Sequence, residues 1–252
     1  MLKYNNKTVS KMYHGSDLVN KINAEVNTTP TSRLPDGYTE VEYIENTSSA
    51  YINTGFKPNQ DTRIVAKMQC VTTTNSTLHF GAGGWDLVNG MWLTYERGIT
   101  GTLHVAWLGK TTWSTYGNGD YNIHTYDWNK NTLYKDEVLV GSSTYGTYQC
   151  TNRLGIFTNL QNTDDRPNDD NVFLKGRMYS FKIYDDGTLV RDLVPCINPS
   201  NVVGAYDVVN GVFYGSARSG KTFVAGNPVT PTGTTEQNKT VFQYVTSGGT
   251  PS

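Results

Sequence analysis

Charged side chains are scarce in this 252-residue chain: Asp, Glu, Lys and Arg make up only 17% of it, and the formal net charge is −1. The chain therefore lacks the dense positive charge with which nucleic-acid-binding proteins neutralise phosphates. It also lacks any stretch of about 18 apolar residues, the length that a membrane-spanning helix requires. We expect neither a nucleic-acid partner nor insertion into a membrane.

Cysteine and histidine are few and show no catalytic or metal-binding pattern. The three cysteines lie far apart: Cys70, Cys150 and Cys196. Three thiols cannot all pair within one chain, and their spacing matches no metal site, so we expect small buried side chains. The four histidines are equally scattered: His14, His79, His104 and His124. Their spacing indicates no catalytic triad, so structural roles are expected for them.

Two further features are missing, namely a secretory signal and helical periodicity. The opening residues, MLKYNNKTVSKMYHGSD, contain no apolar run of the signal-peptide kind. Either the protein is not secreted by that route, or a signal has been removed. The one candidate helix, residues 17–26, has apolar residues at helical spacing but also fits an alternating strand, and the pattern does not decide between them.

The chain is rich in residues that favour strands and turns, including 25 Gly and 17 Tyr. Strand-like segments recur about every ten residues after Pro35. Polar turns are predicted at residues 129–131 and 135–137, and Asp186-Gly187 is a strong hairpin signal. Many short strands without intervening helices predict an all-β fold, specifically a β-sandwich.

The pattern divides the chain into three zones: an N-terminal arm at 1–34, the sandwich at 35–227, and a Thr/Gly/Pro-rich tail at 228–252 that contains the strand-like patch KTVFQYV. Residues 11–22 (KMYHGSDLVNKI) match residues 182–193 (KIYDDGTLVRDL) at several equal offsets. This echo is too short to establish a repeat, but it suggests that the arm holds a hairpin like one inside the sandwich.

The segment LPDGYTEVEYIENTSSAYINTGFKPNQDTRIVAKMQ resembles the opening of laminin-G-like, concanavalin A-like jelly rolls, which are common in phage virion proteins and bacterial surface proteins. Later strands of that family are similar to NIHTYDWNKNTLYKDEVLV, LGIFTNL, MYSFKIYDDGTLVRDLVPC and VVGAYDVVNGVFYGSARSGKTFVAG, in the same order. The resemblance covers about residues 35–226. It implies a jelly-roll β-sandwich with an N-terminal arm and a short tail.

A phosphate-binding-loop pattern, G-x-x-x-x-G-K-[ST], is formed by Gly215, Gly220, Lys221 and Thr222. Such a loop needs a helix directly after the Lys-Thr pair, because the helix N-terminus holds the phosphate. Here the following residues are β-prone and end at Gly226-Asn227-Pro228, so we expect no helix and no nucleotide site. The resemblance places this stretch as the closing hairpin of the sandwich, with both glycines in turns.

Glu40, Glu42 and Glu45 approximate the E-x-D-x-x-E strand of concanavalin-type β-glucanases, in which two carboxyls about 5–5.5 Å apart hydrolyse the sugar bond. Period-2 alternation puts Glu40 and Glu42 on one face and Glu45 on the other. The middle acid also differs from the glucanase pattern. We therefore interpret Glu40 and Glu42 as part of a solvated strand face opposite Val41 and Tyr43, and expect no catalysis.

Two sets of residues are candidate binding groups. The loop 162–171 concentrates four carboxylates, Asp164, Asp165, Asp169 and Asp170, which fit either a solvated loop or a Ca²⁺ site of the kind found in laminin-G-like domains. Among the tryptophans, Trp107 shares a face with apolar neighbours and is expected in the core. Trp85, Trp113 and Tyr116 lie in Gly-rich polar segments, which are interpreted as loops whose rings either pack locally or contact a sugar or protein partner.

The resemblance implies a non-enzymatic phage virion structural protein, such as a capsid decoration, head fibre or tail component. It would assemble in the host cytoplasm, attach to other virion proteins through its arm, form a homo-oligomer, and present its lectin-like sandwich to glycans or a host surface. Two alternatives stay open. One is a carbohydrate-binding adhesin module at a bacterial surface, and the other is a β-glucanase-type hydrolase using Glu40 and Glu42.

Overall fold

A computed structural model describes the strands at 2–4, 7–9, 12–14 and 17–19, and residues 32–72, 77–83, 90–95, 103–107, 113–116, 120–144, 147–161, 167 and 173–230. All regular elements within these residues are β-strands, and none is a helix. No segment of this described part forms a helix long and apolar enough to cross a membrane. The prediction of an all-β chain is confirmed.

The chain divides into two compact units, one of which spans Arg33–Thr230. The other unit contains four short described strands: β1 (Leu2–Tyr4), β2 (Lys7–Val9), β3 (Met12–His14) and β4 (Asp17–Val19). β1 pairs with β2 and β3 pairs with β4, both antiparallel. The segment at 17–26, for which the sequence left helix and strand open, is therefore a strand over its first three residues.

The larger unit is built from strands that follow one another closely. They are β5 (Thr39–Glu40), β6 (Ile44–Asn46), β7 (Ile52–Asn53), β8 (Thr62–Thr72), β9 (Thr77–Ala82), β10 (Met91–Tyr95), β11 (Leu103–Ala106), β12 (Trp113–Tyr116), β13 (Ile123–Asn129), β14 (Thr132–Lys135), β15 (Val138–Ser142), β16 (Gly155–Ile156), β17 (Asn159–Leu160), β18 (Lys175–Asp185), β19 (Thr188–Ile197), β20 (Val203–Asp207), β21 (Val212–Tyr214) and β22 (Val224–Ala225).

These strands form two large sheets. The first has the order β15-β14-β13-β8-β18-β19-β20-β21, with β6 beside β18, β22 beside β6, and β5 beside β19. The second has the order β12-β11-β10-β9-β16-β7, and β17 pairs with β9 in its one described parallel contact. Every other described strand pair in the two sheets is antiparallel, so hairpins and long-range pairings dominate the topology.

The core lies between the two sheets. Phe80 of β9 meets Phe181 of β18 edge-to-face at 5.5 Å between ring centroids, and it also contacts Trp128 of β13. Trp107, just after β11, meets the same Trp128 at 5.2 Å. All four rings are at most 2% exposed. Face-to-face packing of two sheets through such rings is consistent with the predicted β-sandwich, and the core position predicted for Trp107 is confirmed.

The predicted turns are confirmed, and local chemistry explains them. Asp186 and Gly187 have φ of 45° and 77° between β18 and β19. Asp136 and Glu137 have φ of 50° and 66° between β14 and β15. Positive φ at both central residues defines the turn type whose twist matches a two-residue hairpin. Lys130, with φ of 55°, serves the turn between β13 and β14.

The arm hairpin predicted from the sequence echo is also confirmed. In β3–β4, Tyr13 lies opposite Leu18 and His14 opposite Asp17. At the equivalent offsets in β18–β19, Tyr184 lies opposite Leu189 and Asp185 opposite Thr188. The two hairpins thus share the register of these two pairs; at the next pair they differ, because Met12 lies opposite Val19 whereas Ile183 lies opposite Arg191.

The first strand departs from the predicted alternation. Val41 is 2% exposed as expected, but the next core residue is Ile44, with 0% exposure, and not Tyr43. The strand breaks between β5 and β6, where Glu42 N–H donates to Asn227 O and Gly226 N–H donates to Tyr43 O. This pairing with the chain's later segment shifts the register by one residue, so Tyr43 lies on the sheet surface.

The three cysteines are buried and free, as predicted. Burial raises the pKa of the Cys150 thiol to about 12, and burial likewise raises that of Cys196 to about 12. Both thiols are therefore protonated at neutral pH and behave as small apolar side chains, because the thiolate is the reactive form.

Candidate functional site

Most of the predicted binding residues lie outside the described part of the chain: Trp85, Asp164, Asp165, Asp169 and Asp170. The same holds for the tail patch KTVFQYV. Trp113 and Tyr116 are the first and last residues of β12, which pairs with β11 and ends the smaller sheet. Their assignment to a loop was therefore wrong: the segment WSTY is β-prone, and pairing with β11 extends it despite the Gly-rich residues that follow.

The prediction that no helix directly follows Lys221 is confirmed within the described residues. Val224 and Ala225 form β22, which pairs with Glu45 and Ile44 of β6. The expected closing hairpin was wrong, since β21 pairs with β20 while β22 pairs with β6. Of the two glycines, Gly220 has the positive φ (68°) of a turn residue.

The three glutamates of the glucanase-like pattern have separate partners. Glu40 lies 3.7 Å from Arg33, and Glu42 accepts a hydrogen bond from Asn227 at 3.1 Å. Glu45 accepts from Arg177 Nε at 2.7 Å. These contacts join the first strand to three other segments of the sandwich, so the three carboxylates have a structural role.

The outer surface of the larger sheet carries two half-buried tyrosines, and cations lie over both rings. The guanidinium of Arg177 is 4.3 Å from the centroid of Tyr43, and Lys67 Nζ is 5.8 Å from that of Tyr179. The two rings also meet edge-to-face at 5.3 Å. Because the protein's own cations already use these faces, they are poor platforms for stacking a ligand.

A cluster of titratable groups forms where β13 begins and the β14–β15 turn passes beside it. We call Asp120, His124, Lys135 and Asp136 the His124 cluster. His124 Nδ1 lies 2.5 Å from Asp136 Oδ2, and its Nε2 lies 2.6 Å from Asp120 Oδ1, both at hydrogen-bonding distance. Lys135 Nζ lies 3.5 Å from the other oxygen of Asp120. The hairpin register brings residue 136 to residue 124.

The exposure of the side chains decides which groups of the His124 cluster reach solvent. The imidazole is 10% exposed, whereas the carboxylates are 43% exposed at Asp120 and 49% at Asp136. The cluster therefore presents two carboxylates to solvent and keeps the imidazole beneath them.

The two carboxyl groups remain ionised in this setting. Burial acts to raise the pKa of Asp120, but hydrogen bonds from His124 and from the Asn122 N–H outweigh it and lower that pKa. At Asp136, burial again acts to raise the pKa, but hydrogen bonds from the Thr125 N–H and from His124 lower it. Both acids are thus held as acceptors of hydrogen bonds.

An exposed aromatic ring flanks the cluster. Tyr121 follows Asp120 and is 55% exposed. Its backbone is held on both sides: Asp120 Oδ1 accepts from Asn122 N at 2.7 Å, and Tyr121 O accepts from Gln69 Nε2 at 2.9 Å. An anchored aromatic beside oriented carboxylates can stack on an apolar sugar face while the oxygens accept from its hydroxyls.

Sequence reasoning did not find this site. Asp120 and His124 are four residues apart, a spacing that is meaningful on a helix but not on a strand. Asp136 becomes a neighbour only because β14 folds back on β13 with Tyr126 opposite Lys135. The sequence signal that could have found this site was a histidine near the open end of the β13–β14 hairpin.

Within the described residues, no group of three or more His, Cys, Asp or Glu side chains is arranged to hold a metal ion. The four aspartates proposed for Ca²⁺ lie outside those residues. No protein-family model matches this chain, and no curated protein matches it either.

Proposed function

We propose that this chain is a non-enzymatic structural protein of a phage virion, a capsid decoration, head fibre or tail component. In this proposal it displays a laminin-G-like, concanavalin A-like jelly roll that contacts glycans. The observation that carries the glycan role is Tyr121 beside the His124 cluster. The virion role rests on the family resemblance of residues 35–226.

Sugar recognition requires an aromatic face and a few oriented polar groups, and the site offers both in fixed positions. Asp120 and Asp136 are oriented by His124 and by backbone N–H groups, so they need little reordering on binding. Binding to such pre-organised groups loses less conformational freedom than binding to mobile side chains. A neutral or amino sugar fits the exposed carboxylates better than an acidic one.

The contacts that the candidate acids make support the proposal that the protein is not an enzyme. Glu40, Glu42 and Glu45 are each engaged by a different partner. Both ring nitrogens of His124 lie within 2.6 Å of carboxylate oxygens, so the protein's own groups already engage the ring.

The anchoring role of the arm is supported by the division of the chain into two units. Residues before Arg33 carry two hairpins of three-residue strands, and a strand can add to the sheet of another chain through its backbone. We propose that the arm attaches the protein to its neighbours in the virion while the sandwich is displayed.

The glycan role predicts that binding on a glycan array falls roughly tenfold in Tyr121→Ala, since an interface aromatic commonly contributes more than 1 kcal/mol. The matched control is Tyr134→Ala, a tyrosine that is 37% exposed in the neighbouring strand β14 and should bind as the wild type does. Failure of the wild-type protein to bind any glycan contradicts the role. Equal losses in both variants contradict the position of the site.

The virion role is tested by mass spectrometry of purified particles. We expect the intact chain to be present, and a chain lacking residues 1–32 to be absent although its sandwich is folded. Normal incorporation of the shortened chain would contradict the anchor. Absence of the intact chain from particles would contradict the virion role and favour the adhesin alternative.

A further inference from the structure

The turn between β20 and β21 contains the dipeptide Asn210-Gly211. Both residues are exposed, and Gly211 has a φ of 70°. Asparagine loses its side-chain amide most readily when glycine follows it, because glycine has no side chain to obstruct the approach of its own nitrogen. The exposed turn therefore carries a residue pair with intrinsic chemical reactivity.

Deamidation of such a pair proceeds through a cyclic imide, with water as the co-reactant. The Gly211 nitrogen attacks Cγ of Asn210, and the bond from Cγ to Nδ2 breaks. The amide leaves as ammonia, taking the proton that the Gly211 nitrogen gives up. Water then adds across one of the two imide C–N bonds. Aspartate forms if the new bond breaks, and isoaspartate forms if the original peptide bond breaks.

The fold engages both reacting groups in hydrogen bonds to other atoms. Asn210 Nδ2 donates to Asp207 Oδ2 and to Val190 O, each at 2.7 Å. Gly211 N–H donates to Asp207 O at 2.8 Å. The attacking nitrogen must lose its proton and align with the amide carbon at about 3–3.5 Å, so these bonds have to break before the reaction. Asp207 thus opposes the reaction through both its side chain and its backbone.

Asp207 is itself held in place within the sheet. It is 0% exposed, and its Oδ1 accepts from the N–H groups of Asp192 and Val209, both at 3.1 Å. Arg191 Nε lies 3.5 Å from its Oδ2. Burial of a carboxylate costs free energy unless the group is hydrogen-bonded, so the Asn210 amide helps to make this burial possible. The turn and the buried acid therefore stabilise each other.

Deamidation would replace this donor by a second acceptor. A carboxylate only accepts hydrogen bonds, so residue 210 could no longer donate to Asp207 Oδ2. Two carboxylates would face each other where donor and acceptor are now 2.7 Å apart, beside a low-dielectric interior that strengthens their repulsion. Isoaspartate would also lengthen the backbone of the turn. Either product opposes the return of the turn to its present conformation.

We propose that Asn210 is a deamidation site that Asp207 protects in the folded turn, and that its modification is a one-way change. A chain whose β20–β21 turn has opened reacts, and the product then keeps the turn open. Because local opening costs less free energy than global unfolding, the extent of modification records the time that this turn spends open. The device depends on the turn alone and not on the virion role.

Peptide mapping by mass spectrometry of the full chain, incubated in mildly alkaline buffer with and without urea, tests the protection. We expect Asn210 to deamidate at least about tenfold more slowly in the folded chain, which corresponds to an opening cost of about 1.4 kcal/mol or more. Equal rates with and without urea would overturn the proposal.

Asp207→Asn tests whether Asp207 provides the protection, because it keeps the size of the side chain and removes the charged acceptor. We expect it to raise the rate of deamidation at Asn210 in the folded chain about tenfold. The matched control is Asp127→Asn, which removes a carboxylate paired with Arg63 in β13 and should leave the rate unchanged. An unchanged rate in a folded Asp207→Asn variant, or equal effects of both variants, would contradict the role of Asp207.

Substitutions at position 210 test the one-way change, and they decide it even if Asp207→Asn fails to fold. Asn210→Asp introduces the carboxylate of the product, whereas Asn210→Ser removes the amide without adding a charge. We expect Asn210→Asp to lower the folding equilibrium constant, measured by urea unfolding at neutral pH, about fivefold more than Asn210→Ser does. An Asn210→Asp variant as stable as Asn210→Ser, or more stable, would contradict the proposal.

Discussion

At the scale of single residues, His79 is a basic group placed where charge is costly. It lies in β9 at a register shift, between Leu78 opposite Thr94 and Phe80 opposite Leu93. Its ring is fully buried and contacts Tyr126 edge-to-face at 5.5 Å. Burial, together with the charges of His124 and Lys135, lowers the pKa of His79 to about 3. His79 is therefore neutral in the folded protein.

We predict that His79 makes the protein acid-sensitive at mild pH. The unfolded chain takes up a proton near the ordinary pKa of 6.5, whereas the folded protein resists it until about 3. Stability is thus complete above pH 6.5 and falls as pH decreases toward 3, by up to about 1.4 kcal/mol per pH unit. Urea unfolding at a series of pH values measures this slope.

The matched variant is His79→Gln, which removes the titrating group. We expect this variant to be less stable at neutral pH, because the packing of the ring is lost. Between about pH 6 and pH 4, its free energy of unfolding should fall less steeply than that of the wild type, by the slope that corresponds to the uptake of about one proton on unfolding. An unchanged slope in this variant would show that His79 is not the responsible group.

At the scale of elements, the β14–β15 hairpin depends on Asp136. Its Oδ1 accepts from Thr125 N–H at 2.8 Å and its Oδ2 from His124, so one side chain ties the turn to β13. Its backbone has a φ of 50°, a conformation that asparagine and aspartate tolerate. The hairpin is therefore fixed by a tertiary contact as well as by turn chemistry.

Asp136→Asn preserves that backbone preference and removes the charge. We expect it to lower the free energy of unfolding by about 1 kcal/mol at neutral pH, since the bond from His124 loses its charged acceptor. The pKa of Asp136 is lowered on folding, so its contribution is present above the ordinary value of 3.8 and disappears as pH falls below it. The difference in the free energy of unfolding between the variant and the wild type, measured by urea unfolding, should therefore vanish in acid.

Glu137→Asn in the same turn is the control for this prediction. Glu137 has a φ of 66°, which asparagine accommodates better, so the variant should be as stable as the wild type or slightly more so. Equal destabilisation by both substitutions would assign the effect to the turn in general and not to the His124 contact.

At the scale of the whole molecule, the sandwich starts earlier and ends later than the sequence pattern indicated. Leu34 is 6% exposed and packs with Val194 and Cys196, although the predicted sandwich begins at residue 35. Arg33 lies within 4 Å of carboxylates of Glu40 and Asp192. At the other end, Val229 N–H donates to Glu40 O, beyond the predicted end at residue 227.

These contacts predict how deletions of the arm behave. Removing residues 1–32 should leave the melting temperature of the sandwich nearly unchanged. Removing residues 1–34 should lower its stability by about 1.5–3 kcal/mol, the value of burying one leucine side chain. Differential scanning calorimetry compares the two deletions, and equal stabilities would contradict the position of Leu34 in the core.

The sequence by itself determined the strand pattern, the tight turns and the exclusion of a phosphate loop. These depend on residues within a few positions of one another: Asp186-Gly187 favours positive φ, and Thr222-Phe223-Val224 disfavours a helix. The hairpin formed by Met12–His14 and Asp17–Val19 was found for the same reason, because its pairing partners are close in the chain.

Only the tertiary structure decided that Ile44, and not Tyr43, follows Val41 in the core. It also decided the partners of the three glutamates and the assembly of the His124 cluster. The register at Tyr43 depends on residues 226 and 227, and Glu45 meets Arg177 across 132 positions. The register between strands so distant in sequence depends on which of their faces become buried together. That burial exists only once the two sheets have assembled, so no local segment of the sequence encodes it.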